Sequence, residues 1–443
     1  MKIIVIGGDA AGMSAASKAK RVHEECEIVV YEKSDVVSYA ACGLPYYISG
    51  AILNWHNLIA RTKEQFEEMD INIKLMHEVI GVDTDNKRIK VRNLSTTEEF
   101  EDSYDKLMIA TGSKAMLPNI KGNNLEGVFT LKTLKNGIEL KEYAIRDEVK
   151  NIVIVGGGYI GIEVAEAMHE LGKNILILEK SDRILSNYDK EIVDKVMEGL
   201  KKQHINIIVD EELKEIKGES KVESVKTNRN EYKADLVFIA IGVVPNTRFL
   251  DDIEIKMLPN GAIEVNNKME TSIQDVYSAG DCATVYNRVI NKNIYLPLAT
   301  TANKMGKLAG ANMVGENLEF QGTLGSSVIK IFDLQATKTG IGEEEAKKYK
   351  FNYDKLFIMG KDHSPYYPNA SNIYVKLIYE KDSEIILGAQ LVGRKGCAKR
   401  SDIFSCAIHN KMTLHEIGYL DLCYAPPFST VWDVVNIAGN AKK

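Results

Sequence analysis

The apolar residues of this chain fall into short runs broken by small-residue turns, and one arrangement of them occurs twice. "KIIVIGGDAAGMSAA" followed by "EIVVYEK" (27–33) is echoed by "NIVIVGGGYIGIEVA" followed by "NILILEK" (174–180). Each copy reads as an apolar strand, a glycine turn, a helix, a second strand and a closing glutamate. Glycines at such a turn let backbone N–H groups and a helix N-terminus approach a diphosphate, and the glutamate accepts a hydrogen bond from a ribose hydroxyl. Glu32 lies 20 residues after Gly12, and Glu179 lies 18 after Gly161. The second copy is a complete G-x-G-x-x-G (Gly156, Gly158, Gly161), whereas the first keeps Gly7, Gly8, Ala11 and Gly12 but carries Asp9 at the middle glycine. Two copies with matched strands and matched acidic ends predict two dinucleotide sites.

Further apolar strands end in small-residue turns. "YDKLMIATGS" (104–113) and "ADLVFIAIGVVPN" (234–246) place Thr111, Gly112 and Gly242 where a chain would cross between nucleotide-binding units. "TSIQDVYSAGDCA" (271–283) ends a strand at Gly280 and Asp281, an acid placed to bond a ribityl chain or to reach a diphosphate through water. A plain turn aspartate is the competing reading.

Length and composition narrow the class. At 443 residues the chain is expected to divide into about three units of ~150 residues. A net charge of -6 gives no footprint of nucleic-acid binding. The opening "MKIIVIGG" is already strand and turn, and no apolar run approaches the ~20 residues a bilayer requires, so a cytoplasmic protein with no membrane partner is expected. The six cysteines show neither C-x-x-C nor metal-ligand spacing, so no metal is expected. Cys42, in "SYAACGLPYYISG" (38–50), stands just ahead of a proline suited to a first helical turn, where the positive end of a helix favours thiolate.

These stretches, with "SPYYPNAS" (364–371) and "CYAPPFS" (423–429), resemble the FAD-dependent pyridine nucleotide-disulfide oxidoreductases across essentially the whole chain. Within that family the chain resembles the single-cysteine branch, nearest to the coenzyme A disulfide reductases. The resemblance implies an α/β fold of two nested Rossmann-like domains plus a C-terminal α+β dimerisation domain. The FAD-binding domain is expected at 1–113 and 247–322, the NAD(P)H-binding domain at 114–246 and the dimerisation domain at 323–443. Lys33 joins Glu32 among the expected cofactor contacts. Glutathione and lipoamide reductases carry a second cysteine where this chain has Tyr47, and a C-terminal His-Glu base that it lacks, its last histidine being His415. Peroxidase and NADH oxidase members of the branch carry a histidine in the first glycine loop, which here reads Asp9-Ala10-Ala11.

The implied chemistry runs from NADH through FAD to a mixed disulfide between Cys42 and coenzyme A. By resemblance, Tyr366 and Tyr424 are catalytic donors supplied by the partner subunit of a homodimer. Ser14, Lys18 and Arg21 fall on one helix face at i, i+4 and i+7, and the resemblance implies that this face binds coenzyme A together with Ser38 and Asn303, a solvated basic face being the competing reading. Where some of those reductases place a lysine after Ala-Pro-Pro, this chain has Trp432. Glu179 favours NADH, with Lys180 and Arg183 leaving NADPH possible. Glu163 is expected near the nicotinamide or paired with a flavin-domain lysine. The alternatives are an NADH oxidase, a CoA-dependent polysulfide reductase, an electron-transfer flavoprotein feeding a protein partner, or a redox sensor switched at Cys42.

Overall fold

The computed structural model describes residues 1–442 and divides into two compact units. The first comprises 1–116, 132–137 and 242–323; the second comprises 117–131, 138–241 and the described residues from 324 onward.

The first unit is built on a five-stranded parallel sheet in the order Val276–Ser278, Lys106–Ile109, Lys2–Ile6, Glu27–Tyr31, Asn72–Lys74. Its strands read as near-continuous apolar runs because both faces are covered: Ile3, Ile4, Val5, Val30 and Leu107 have no exposed surface. The strand Lys2–Ile6 pairs with Glu27–Tyr31 on one side and Lys106–Ile109 on the other, so the sheet order reverses at its end. A crevice at such a switch point is where open α/β sheets hold ligands. The helix Ala10–Val22 packs against the helix Ala299–Met313 with backbones nearly touching. A Cβ on Gly306 would lie 2.2 Å from the Ala11 carbonyl oxygen, and one on Gly310 2.2 Å from that of Ala15.

The second unit repeats this plan with Asn206–Ile208, Asn174–Leu178, Asn151–Val155, Leu236–Ile239 and Val128–Phe129, again all parallel. Each parallel sheet is accompanied by a three-stranded antiparallel meander, His77–Asp83, Arg88–Asn93, Glu99–Ser103 in the first unit and Leu213–Lys217, Ser224–Thr227, Glu231–Lys233 in the second. The second unit also carries a five-stranded antiparallel sheet in the order Ser327–Ile331, Leu334–Gly340, Ile386–Gly393, Asn372–Glu380, Tyr353–Lys361, with the helix Cys397–His409 against its middle strands. Both expected Rossmann-like sheets and an antiparallel α+β region are therefore present. Among the described residues, no helix is long and apolar enough to cross a membrane, and no cluster of histidine, cysteine and carboxylate side chains suits a metal.

Candidate active site

The first glycine turn follows from steric necessity. Gly7 has φ +103, and a Cβ there would lie 2.3 Å from the Ala110 carbonyl oxygen, where the neighbouring strand ends. A Cβ on Gly12 would fall 1.9 Å from the Gly7 carbonyl oxygen. Glu32 accepts from Gly8 N at 2.7 Å and from Ser34 N at 2.8 Å, which fixes its carboxylate at the mouth of the turn. Lys33 beside it is exposed. No N-cap side-chain bond closes the helix Ala10–Val22, and apart from the Ala10 N–H beside the Asp9 carboxyl its N-terminus is left for a ligand oxygen. These features fit a dinucleotide diphosphate and ribose.

The middle of the turn is acidic. Burial and the nearby Glu32 push the Asp9 carboxyl up to about 6, against the pull of Lys132 and of the Ala10 and Tyr39 N–H groups. Opposite the turn, Asp281 accepts from Lys132 Nζ at 2.8 Å and from Ser113 Oγ at 3.1 Å. Gly280, with φ +85, sits against Ala11. The Thr111 hydroxyl donates to the Asn246 carbonyl at 2.7 Å, and Asn246 N donates to the Gly112 carbonyl, so the two crossing segments are bonded to each other beside Gly242. Sequence reasoning missed Lys132 and Ser113, which belong to no motif and are revealed only by the chain passing Asp281.

The segment carrying Cys42 is laced to the same turn. Ser38 N donates to the Gly8 carbonyl at 2.9 Å, and Ser38 adopts φ +51 to make that bend. Ala60 N then bonds the Ser38 carbonyl, and Ala40 N the Leu58 carbonyl. Cys42 lies in the single turn Ala41–Gly43, one residue before the cap of the helix Leu44–Ser49. That helix has only six residues, so its dipole is small. Tyr47 is buried, and no disulfide joins any two of the six cysteines. Cys26, Cys282 and Cys397 are buried, and burial raises each thiol, that of Cys397 to about 12, which leaves them unreactive. Cys42, Cys406 and Cys423 are exposed.

On the helix Ala10–Val22, Ser14 and Lys18 are half-buried and Arg21 is exposed, while Lys20 is buried and bonded to Asp70 and the Cys26 carbonyl. Ser14 Oγ donates to Asn303 Oδ1 at 2.8 Å, joining two predicted residues separated by 289 positions.

The second unit holds the other predicted groups. Gly156 has φ +105, a Cβ on it would lie 2.4 Å from the Ala240 carbonyl oxygen, and one on Gly161 would lie 2.0 Å from that of Gly156. Glu179 accepts from Gly157 N at 2.7 Å and Ser181 N at 2.8 Å, while Gly158 caps the helix Tyr159–Glu170 without a side chain. Burial alone pushes the Glu163 carboxyl up to about 7.

Tyr366 and Tyr424 are exposed, and their hydroxyls lie 3.1 Å apart. With Tyr366 as donor, the bond raises its own pKa and lowers that of Tyr424. What brings them together is a buried guanidinium. Arg400 Nε bonds both oxygens of Asp433 at 2.9 Å, and its Nη2 bonds the Asp362 carbonyl at 2.8 Å. Asp433 also accepts from Ser429 Oγ and from Val435 N, and Ser364 N donates to the Pro426 carbonyl. The sequence offers no signal for this lacing beyond two polar loops. Tyr367 is partly exposed against His363, and Trp432 is exposed near Tyr419.

Comparison with known proteins decides the family. A family model described as pyridine nucleotide-disulphide oxidoreductase matches residues 1–306, and one for that family's dimerisation domain matches 326–434. The chain belongs to the pyridine nucleotide-disulphide oxidoreductase family. It is 38% identical to an NAD(P)H coenzyme A polysulfide/persulfide reductase of Pyrococcus horikoshii, over 100% of this chain and 98% of that one. It is 31% identical to a coenzyme A disulfide reductase of Staphylococcus aureus, over the full length of both. Among solved structures, an NAD-dependent persulfide reductase from A. fulgidus superposes with a TM-score of 0.96 at 34% identity, covering 100% of this chain and 82% of that one. The chain is thus an oxidoreductase with a dimerisation domain.

Proposed function

We propose that this protein is a flavin-dependent NAD(P)H:coenzyme A disulfide reductase. The balanced reaction is NADH, a proton and one CoA disulfide giving NAD⁺ and two CoA thiols. The observation that carries it is Cys42: an exposed thiol with Tyr47 where a second cysteine would stand, on a segment bonded to the first glycine turn through Ser38 and Gly8. FAD, when bound, relays the electron pair of the hydride. Gly7, Gly8, Ala11, Gly12, Glu32 and Lys33 would hold its ADP half, with Thr111, Gly112, Gly242, Gly280 and Asp281 along the rest. Gly156, Gly158, Gly161 and Glu179 would hold NADH, with Glu163 near the nicotinamide.

Cys42 forms the mixed disulfide with coenzyme A. Its thiolate attacks one sulfur of the CoA disulfide, the S–S bond breaks, and one CoA leaves as thiolate. The paired hydroxyls of Tyr366 and Tyr424 supply the proton for that leaving sulfur, since a phenol is protonated at pH 7. Reduction of the mixed disulfide then frees the second CoA and regenerates the Cys42 thiolate. Ser14, Lys18, Arg21, Ser38 and Asn303 would bind the CoA phosphates and adenine, a role supported by the Ser14–Asn303 bond and the basic edge of that helix.

We also propose the division into FAD-binding (1–113, 247–322), NAD(P)H-binding (114–246) and dimerisation (323–443) segments, a homodimer that shares its tyrosines between subunits, and a cytoplasmic location. The exposed cluster of Tyr366, Tyr424, Phe428, Val431 and Trp432 supports a subunit interface. A second reading, CoA-dependent polysulfide reduction through the same thiol, is favoured by the 38% identity to the Pyrococcus horikoshii enzyme. Anaerobic assays with CoA disulfide or polysulfide as acceptor, and an aerobic one with oxygen alone, each with NADH and NADPH, test the proposal. CoA disulfide is expected to support the fastest turnover; polysulfide in its place moves the assignment to the second reading, and oxygen alone overturns both.

A further inference from the structure

The placing of Glu179 leaves a question about the cations beside it. Its carboxylate is fixed by two backbone N–H groups, and it favours a ribose 2′-hydroxyl over a 2′-phosphate. The loop that follows contains Lys180 and Arg183, either of which could reverse that preference by pairing with the phosphate. This loop folds back over the glycine turn. Leu185 N donates to the Gly157 carbonyl at 2.9 Å, and a Cβ on Gly157 would lie 2.4 Å from the Ile184 side chain. Arg183, next to Ile184, is therefore held beside the nucleotide site.

The two cations are engaged differently. Lys180 bonds Glu212 at 2.9 Å, but its side chain is 73% exposed and Glu212 is shared with Lys214. Such an exposed pair is weak, and an arriving dianion would compete for the ammonium. Arg183 has a side chain only 19% exposed; its Nη1 contacts Asp182 at 3.2 Å and its Nη2 bonds Glu344. Its Nε has no acceptor, so the guanidinium is oriented by those two carboxylates. Asp182 is its chain neighbour and moves with it, whereas Glu344 lies 161 residues away on the helix Glu343–Lys348. A guanidinium is also the better phosphate receptor of the two cations, because its planar donors match the oxygens in pairs.

We propose that Glu344 is a specificity-determining residue for the nicotinamide nucleotide: it holds the Arg183 guanidinium and so withholds it from a 2′-phosphate. The inference rests on the reading of Glu179 as the ribose ligand. Glu344 is itself mostly exposed, so removing its charge spares the core.

The test is equilibrium binding of ADP-ribose and 2′-phospho-ADP-ribose to the flavin-loaded enzyme, alongside NADPH kinetics. Glu344→Gln is expected to tighten 2′-phospho-ADP-ribose about three- to fivefold, the upper scale of one exposed ion pair, with ADP-ribose unchanged from the parent. The NADPH KM should fall in parallel with little change in kcat. The gain should vanish in the double variant Arg183→Ala/Glu344→Gln and shrink at high salt. An unchanged ratio of the two affinities in Glu344→Gln, or a gain that persists without Arg183, overturns the proposal. Glu179→Gln separates the two claims. If it leaves the preference for ADP-ribose intact, the ribose reading fails; if it erodes that preference while Glu344→Gln does nothing, only the role of Glu344 fails.

Discussion

The two glycine turns are built to the same plan with one glycine exchanged, and that exchange shows which glycines the fold needs. Gly7 and Gly156 sit at φ +103 and +105, and a Cβ on either would strike the carbonyl of the neighbouring strand end. Gly12 and Gly161 each lie where a Cβ would strike the turn's own carbonyl, at 1.9 and 2.0 Å. The middle position is different. Asp9 has φ -112 and Gly158 φ -78, extended backbone open to any residue, and a Cβ on Gly158 meets nothing within 4 Å. The incomplete first motif therefore loses none of its required geometry. What Asp9 changes is local charge, since its carboxyl stands near Glu32 and Lys132.

The largest effects should come from the glycines that the two turns share. Gly12→Ala is expected to cost about 3 kcal/mol of cofactor binding, roughly a hundredfold in affinity, through that backbone collision. The ratio of flavin absorbance to protein absorbance after purification measures it. Gly161→Ala should instead leave flavin content normal and raise the NADH KM by a similar factor. Loss of flavin in both variants, or in neither, would break the equivalence drawn between the turns.

A smaller, pH-dependent difference should separate the second turn from the first. Burial holds Glu163 protonated up to about 7 in the folded chain, against 4.5 for an ordinary glutamate. The folded state thus binds the extra proton between those values, and stability falls as pH rises through that window. Glu163→Gln removes the penalty, so it should stabilise by roughly 2 to 3 kcal/mol at pH 8 and by almost nothing at pH 4. Denaturant melts of the flavin-loaded protein at the two pH values check this, and an equal effect at both would refute it.

The smallest effect belongs to the position where the turns differ. Gly158→Ala should alter unfolding free energy by less than about 0.5 kcal/mol, because neither φ nor space opposes the added methyl. A loss of several kcal/mol would mean that the middle glycine serves the fold after all.

How much of this was legible in the sequence follows from how local each feature is. The turns could be read because their glycines recur at one short spacing, even though Gly7 and Gly156 are required by the distant Ala110 and Ala240 carbonyls, and the closing glutamates because strand length fixes the spacing. The paired three-stranded meanders were not read, since strands such as Glu99–Ser103 and Glu231–Lys233 are short and largely polar. Ser14 and Asn303 were grouped only by family resemblance, and their bond was not foreseen, because no local pattern reports a contact across 289 residues. Lys132 on Asp281, Arg400 on Asp433 and Glu344 on Arg183 were invisible for the same reason: ion pairs between distant segments leave no periodicity. The helix after Cys42 has only six residues, so its dipole lends the thiol less help than the proline-marked helix start implies.

The most direct test of the account is the mass of the Cys42 thiol itself. Protein treated anaerobically with CoA disulfide should gain one CoA in disulfide linkage at Cys42, located by peptide mass spectrometry, and stoichiometric NADH should remove it with release of one CoA thiol. Cys42→Ser should neither take up CoA nor oxidise NADH with CoA disulfide. Uptake of CoA at Cys406 or Cys423, or undiminished NADH-dependent CoA disulfide reduction by Cys42→Ser, would contradict the assignment of Cys42 as the reaction centre.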